Sequence, residues 1–347
     1  LVVRSASVFR EKQGIDVRTG HEVREIDPRA RRVNGVDPAG RPFSVPYDKL
    51  LIATGAAPVL PELPGVDLPG VLVLKSLEDG RKLKNALTGR PVKRAVILGM
   101  GYIALEMCEA LAARGISVEM VKPRPGLLPW MAKELSDKVR EELSARGVGI
   151  HDGRTVERIS EAPGGGLQVA CRDGAIPCDM VLAAVGVAPV SGIAEGAGLA
   201  LGPGNAVAVD ATLRTSDPDI YAAGDCADAF HVVTGGRVWI PLALRANRAG
   251  WAAADNVCGI ESRLPGVAGT AVFKVFDLEV ARTGLNFAEA GAAGFDPERA
   301  VIQTRSRAHA HPGASPIHVE LVGDRGTGRL LGRSEERRVG KECRSRW

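Results

Sequence analysis

The chain has 347 residues, 45% of them apolar and 25% charged, which gives room for two or three ordinary globular domains. Its formal net charge of +4 comes from basic and acidic residues that are interleaved, which speaks against a nucleic-acid-binding surface. No apolar run is long enough to cross a bilayer, and six scattered cysteines without a C-x-x-C pair exclude a disulfide scaffold; they read as small buried apolar residues of a cytoplasmic protein.

Ser7-Val-Phe-Arg-Glu-Lys-Gln-Gly14 reads as a helix and residues 15–23 as a strand. Residues 20–49 alternate apolar and polar between Asp-Pro and Pro-Ala-Gly breaks, the pattern of short antiparallel strands. Leu50-Leu-Ile-Ala53 is an apolar strand ended by Thr54-Gly55-Ala56. Pro58, Pro61, Pro64 and Pro69 then make an extended connector.

Arg94-Ala-Val-Ile-Leu98 reads as a buried parallel strand, turned by Gly99 and Gly101 into a helix with Ile103, Met107 and Leu111 on one face. Gly115 ends that helix and residues 116–121 form the next strand. A helix over 134–146 and short strands over 148–185 follow, closed by Val185-Gly186-Val-Ala-Pro189. Residues 207–223 return to strand patterning and reach Gly224-Asp225. Leu242 to Asn247 opens an Ala-rich helix. After Gly269, residues 270–276 and 317–322 alternate like antiparallel strands with one wet face.

Gly99-x-Gly101-x-x-Ala104 is a dinucleotide fingerprint. Gly99 permits the tight turn, Gly101 lets backbone approach phosphate, and Ala104 lets helix and strand pack closely. The helix N-terminus at Tyr102 then offers free N–H groups to an anion. Where an NADH-binding chain places an acid on the ribose hydroxyls, this one has Lys122-Pro-Arg124. Two cations there suit a 2′-phosphate and favour NADPH.

Three segments in this order carry a resemblance: Leu50 to Ala56, Ile97 to Glu106, and Ile220-Tyr-Ala-Ala-Gly-Asp225. Together they resemble the pyridine nucleotide-disulfide oxidoreductase family. Gly14-Ile-Asp-Val-Arg, His21-Glu-Val and Gly269-Thr-Ala-Val-Phe-Lys-Val-Phe-Asp-Leu narrow it to the CoA-disulfide reductase, NADH oxidase and persulfide reductase branch. The resemblance implies an α/β fold of two Rossmann-like dinucleotide-binding domains plus a C-terminal α+β dimerisation domain. It divides the chain into an FAD-binding part (1–80), an NAD(P)-binding domain (81–190), a second FAD-binding part (191–265) and a partial dimerisation domain (266–332).

The same resemblance places Thr54, Gly55, Ala56, Gly224, Asp225 and Asn247 on FAD. It places Gly99, Gly101, Tyr102, Ile103, Glu106, Lys122 and Gly186 on NAD(P)H, with Tyr102 and Glu106 toward the nicotinamide. It implies a homodimer that passes hydride to FAD and electrons to a small-molecule disulfide or persulfide, or to oxygen. No nucleic acid, membrane or metal enters this reading. The redox cysteine and FAD pyrophosphate loop of the family would lie in a preceding segment of about 60 residues, two βα units. None of the six cysteines replaces it; Cys226, beside Asp225, reads as structural. The family's Tyr-Tyr pair before Pro-Gly is replaced by Ala308-His-Ala-His311, read as a loop, which weakens the case for CoA disulfide. Residues 333–347 resemble a translated sequencing adapter, so the chain reads as truncated at both ends. The alternatives are an NAD(P)H oxidase or peroxidase, a ferredoxin- or rubredoxin-type reductase, and an inactive fragment that only binds nucleotide.

Overall fold

The apolar run Arg94–Leu98 is the strand around which the larger part of the chain is built. In the computed structural model, which describes residues 5–308, 310–311 and 313–338, it is the centre of a five-stranded parallel sheet. The sheet order is Val71–Val73, Met180–Ala183, Arg94–Leu98, Ser117–Lys122, Gly149–Asp152. Ala95, Val96 and Ile97 are wholly buried, as a parallel strand covered on both faces requires. Helices Leu77–Gly89, Tyr102–Ala112 and Lys133–Ala145 make the crossovers. The first starts with a capping box in which Ser76 and Asp79 satisfy each other's backbone N–H groups. A three-stranded antiparallel sheet, Val156–Glu161, Leu167–Cys171 and Gly174–Cys178, precedes the return strand Met180–Ala183.

Chain contacts divide the molecule into two units. The larger holds Ala57–Ala188, His231–Gly235 and the chain from Val267 onward. Within it lies a second five-stranded sheet, antiparallel, ordered Ala271–Val275, Leu278–Gly284, Leu330–Arg338, Pro316–Asp324, Pro297–Arg305. Phe273, Val275, Leu278 and Val280 share a core with Leu105, Cys108 and Leu111 of the helix after Gly101. Glu109 of that helix fixes the turn by accepting from Lys274 Nζ (2.6 Å) and the Phe276 N–H (2.7 Å).

The smaller unit comprises the chain up to Ala56, Pro189–Phe230 and Gly236–Gly266. It contains the antiparallel meander Glu22–Asp27, Arg32–Val36, Pro42–Pro46 and the parallel pair Leu50–Ile52 with Ile220–Ala222. Small residues Ala249, Ala252 and Ala253 of helix Ala243–Val257 pack on Ile26, Ile52 and Ile220.

Three expectations differ from the structure. The strand read over 15–23 begins only at Glu22, because Gly20 (φ +75°) turns the chain just before it. The patterning over 207–223 yields one short strand, Ile220–Ala222, plus isolated bridges from Val207 and Arg214. Residues 333–338, set outside the fold by the sequence reading, lie in the middle strand of the antiparallel sheet. They gain backbone partners on both sides, and Ser334 and Glu336 are buried. Backbone pairing asks nothing of side chains, so a charged stretch following Leu330-Leu-Gly can continue the ladder. Residues 339–347, including Cys343, lie outside the described residues, as does His309.

Candidate functional site

The loops at the carboxyl ends of the parallel strands meet in a cleft of about 680 Å³. Gly99, Met100 and Gly101 form one wall, Lys122, Pro123 and Arg124 another, and Ala184, Val185 and Gly186 a third. The volume is that of a small-molecule site. Its place is a topological switch point: from Arg94–Leu98 the chain steps outward to Ser117–Lys122, then returns on the opposite side as Met180–Ala183.

The two fingerprint glycines are required for different reasons. Gly99 has φ +112°, and a Cβ there would stand 2.3 Å from the Ala184 carbonyl oxygen. Strand geometry alone therefore forbids a side chain. Gly101 has an ordinary φ of −84°, and an added Cβ would meet no atom within 4 Å. Among the described residues nothing demands that glycine, and the space beside it is open. Ala104 is fully buried in the core under the turn. No side chain caps the helix at Gly101, which leaves first-turn N–H groups for an anion. These residues fit a dinucleotide diphosphate.

Lys122 and Arg124 both line the cleft. Lys122 Nζ donates to the Gly126 carbonyl (2.6 Å). Its ammonium is held below its ordinary value, chiefly by desolvation. Arg124 is exposed and has no carboxylate partner among the described residues. Gly186 also lines the cleft, at φ +125° and with nothing within 4 Å of where a Cβ would stand.

Tyr102, Ile103 and Glu106 are not among the residues that line this cleft. The Tyr102 ring packs 5.9 Å from Trp130 and 5.1 Å from Phe273, and burial pushes its hydroxyl above its ordinary value. Ile103 and Glu106 are exposed. The Glu106 carboxyl is pushed up first by desolvation and then by Glu109. Trp130 itself lines the cleft, with the Arg282 guanidinium 5.2 Å over its ring and Arg282 in turn on Glu289 (2.7 Å). Neither Trp130 nor Arg282 was legible in advance, because their ring contacts join residues 28 to 152 positions apart, which no local sequence pattern signals.

The FAD-side segments lie in the smaller unit. Ile52 pairs with Ala222 in parallel register, so Thr54-Gly55 and Gly224-Asp225 leave the same end of the two strands. Gly55 (φ +71°) and Gly224 (φ +88°) both take the left-handed conformation, and a Cβ at either would meet nothing within 4 Å. Two open glycine turns at strand carboxyl ends fit a diphosphate- and polyol-bearing cofactor such as FAD. Thr54 Oγ1 donates to the Val190 carbonyl, and Ala56 opens the short strand Ala56–Pro58. Asp225 is half-buried, and its backbone carbonyl accepts from Trp239 Nε1 (2.8 Å). Asn247 is exposed on helix Ala243–Val257.

One residue given no site role by the sequence reading holds this turn, and a buried carboxylate lies next to it. Buried Arg245 donates to the carbonyls of Gly224 (2.6 Å), Ala227 (2.9 Å) and Asp228. Asp228, wholly buried, takes Arg237 Nη1 (2.7 Å) and the Val209 N–H (2.9 Å). The signal for Arg245 was a lone cation in the apolar run Leu242-Ala-Leu-Arg-Ala.

Cys108, Cys171, Cys178 and Cys226 are buried. Burial pushes the Cys108 thiol up to about 12 and that of Cys178 to about 11, so neither is a thiolate at neutral pH. Cys258 is exposed, against the expectation that all six are buried, because it caps the helix end rather than facing the core. His311 is exposed in a turn, its N–H on the Ala308 carbonyl (2.8 Å). Among the described residues no side-chain cluster could hold a metal, and no helix is long and apolar enough to cross a membrane.

A family profile described as pyridine nucleotide-disulphide oxidoreductase matches residues 2–250. The NAD(P)H sulfur oxidoreductase (CoA-dependent) of Pyrococcus furiosus is 37% identical over 333 residues, which cover 94% of this chain and 73% of that protein. The NADH oxidase of Methanocaldococcus jannaschii is 30% identical, covering 93% and 72%. The solved structure of an NAD-dependent persulfide reductase from A. fulgidus is 32% identical with a TM-score of 0.93; it covers 98% of this chain, which spans 63% of that one. A glycine turn kept open to an anion is what such enzymes require of their backbone, and this chain belongs to the pyridine nucleotide-disulphide oxidoreductase family of FAD-dependent NAD(P)H oxidoreductases.

Proposed function

We propose that the chain serves an oxidoreductase that takes its hydride from NADPH in preference to NADH and reduces a disulfide or persulfide. The observation that carries this is the cleft at Gly99 and Gly101 with Lys122 and Arg124 on its wall. When bound, the nicotinamide supplies a hydride and FAD turns it into an electron pair for the acceptor. In this reading Gly99 shapes the turn, Gly101 admits the diphosphate, and the uncapped helix end orients it. Cations at the end of the second strand favour a 2′-phosphate, where an acid would favour a ribose hydroxyl. Gly186 lines the same cleft, and Tyr102, Ile103 and Glu106 serve the nicotinamide end. Thr54, Gly55, Ala56, Gly224, Asp225 and Asn247 hold FAD.

The named sulfur and persulfide reductases among the relatives support the acceptor class. The thiols of Cys108 and Cys178 stay protonated at neutral pH, so neither is given the role of nucleophile. The family resemblance extends the proposal to a homodimer in a reducing cytoplasm. A second reading, reduction of oxygen, is supported by the NADH oxidase relative.

The test is steady-state turnover of FAD-loaded protein with each nucleotide against CoA disulfide, a glutathione persulfide and oxygen. A higher kcat/KM for NADPH with a sulfur acceptor is expected. Turnover with oxygen alone supports the second reading, and a clear NADH preference overturns the cofactor choice.

A further inference from the structure

One wall of the cleft is Leu127-Leu-Pro-Trp130, which leads into helix Lys133–Ala145. Leu127 and Leu128 are buried, and the Leu128 N–H reaches Ser136 Oγ of that helix at 3.4 Å. The helix opens at Ala132, which has no side-chain oxygen to cap it. The Ala132 carbonyl accepts from the Leu135 and Ser136 N–H groups at 3.1 and 3.0 Å, so this residue is fixed on its helical side. Its own N–H needs a partner from outside the helix.

The antiparallel sheet of the same unit supplies that partner. Glu320 Oε2 accepts the Ala132 N–H at 3.0 Å, across 188 positions of chain. Glu320 is buried, and burial pushes its carboxyl up while this N–H opposes the shift. From the same sheet the Arg282 guanidinium stands 5.2 Å over the Trp130 ring. Arg282 and Glu320 both lie opposite Ser334 of the middle strand, so they share one row and one face. In the next row of that face, Phe273 and Val280 pack into the core that holds Leu127, Leu128 and Ala132. Arg282 is itself aimed by Glu289 (2.7 Å) and the Gly284 carbonyl (3.0 Å). A carboxylate on a backbone N–H and a cation over an aromatic face both gain strength away from water.

We infer that Glu320 and Arg282 are positioning residues of the cleft: from the antiparallel sheet they pin its Leu127–Trp130 wall, and nucleotide affinity depends on that hold. Neither residue lines the cleft, so Glu320 acts through the Ala132 backbone and Arg282 through the Trp130 ring. A wall fixed before the ligand arrives spares binding the cost of ordering it. The effect on nucleotide rests on the reading of this cleft proposed above, whereas the hold on the wall is a property of the protein alone.

The experiment pairs two readouts on the full chain. One is calorimetric titration with NADPH and with NADH. The other is acrylamide quenching of Trp130, taken as the difference between each protein and its Trp130→Phe counterpart. Glu320→Ala and Arg282→Met open Trp130 to the quencher and weaken both nucleotides by about fivefold or more. Glu320→Gln keeps an acceptor oxygen and restores most of both readouts. Glu279 stands one position from Val280 and so on the opposite face, and Glu279→Gln leaves both readouts as in the unaltered protein. An equal loss in Glu279→Gln overturns the assignment, since it would show a general loosening of the sheet. So does a released Trp130 with nucleotide affinity unchanged, or a Trp130 that neither variant releases. Failure of the unaltered protein to bind either nucleotide instead refutes the reading of the cleft, and the dependence of affinity on the sheet falls with it; the quenching still reports on the wall.

Discussion

Gly99 and Gly101 stand two residues apart in one turn, yet substitution separates them. Gly99→Ala forces a Cβ against the Ala184 carbonyl at positive φ, so it costs stability on the order of 1–3 kcal/mol. Gly101→Ala meets neither obstacle and changes stability by about 0.5 kcal/mol or less, while NADPH affinity falls. Urea unfolding and a nucleotide titration on both variants check this; two equal stability losses would contradict it. Arg245→Met leaves three carbonyls of the Gly224 turn without their donor and removes a buried charge, at a cost of about 2–4 kcal/mol. A urea midpoint shift within error would refute that account. The glycines were legible because φ and steric room act on one residue at a time. Arg245 was not, because its partners lie 17 to 21 residues upstream and are backbone atoms, which any residue type supplies.

At the scale of elements, helix Tyr102–Ala112 does two jobs. Its uncapped end faces the cleft, and Glu109 near its other end grips the turn between Ala271–Val275 and Leu278–Gly284. Strand Arg94–Leu98 matched its sequence reading because four consecutive apolar residues admit little else; the strand 207–223 did not, because alternation without a neighbouring strand gives only bridges. The segment His231–Gly235 carries a pH dependence. His231 is buried, and its Nδ1 accepts from the Val233 N–H at 3.2 Å. Desolvation, with Arg282 adding to it and Glu289 opposing it, lowers the imidazole's value. The folded state therefore takes up this proton less readily than the unfolded chain. Stability contributed by His231 is full above about pH 6.5 and falls as pH drops through that value. Urea midpoints at pH 5 and pH 8 should differ, and His231→Asn should reduce the difference. An undiminished difference in that variant would count against His231.

The whole molecule divides into two compact units, and the fingerprint lies wholly within the larger one. Its family and fold class were legible because three short motifs keep their order over 347 residues. The shared core of the antiparallel sheet with the Tyr102–Ala112 helix was not, since it depends on contacts such as Phe273 with Tyr102, 171 positions apart. NADPH at a hundred times its Kd should stabilise the larger unit by about 2.7 kcal/mol, through mass action alone. Calorimetric unfolding with and without nucleotide checks this, and an unmoved transition would contradict a specific site there.

The central claim is that the Gly99–Gly101 turn and the helix end after it cradle a pyridine nucleotide. Hydrogen–deuterium exchange of the full chain, with and without saturating NADPH, tests it at the amides concerned. The account predicts slowed exchange over Gly101 to Ala104 and in the loop from Lys122 to Gly126. Nucleotide bound to saturation with those amides exchanging as before would contradict it.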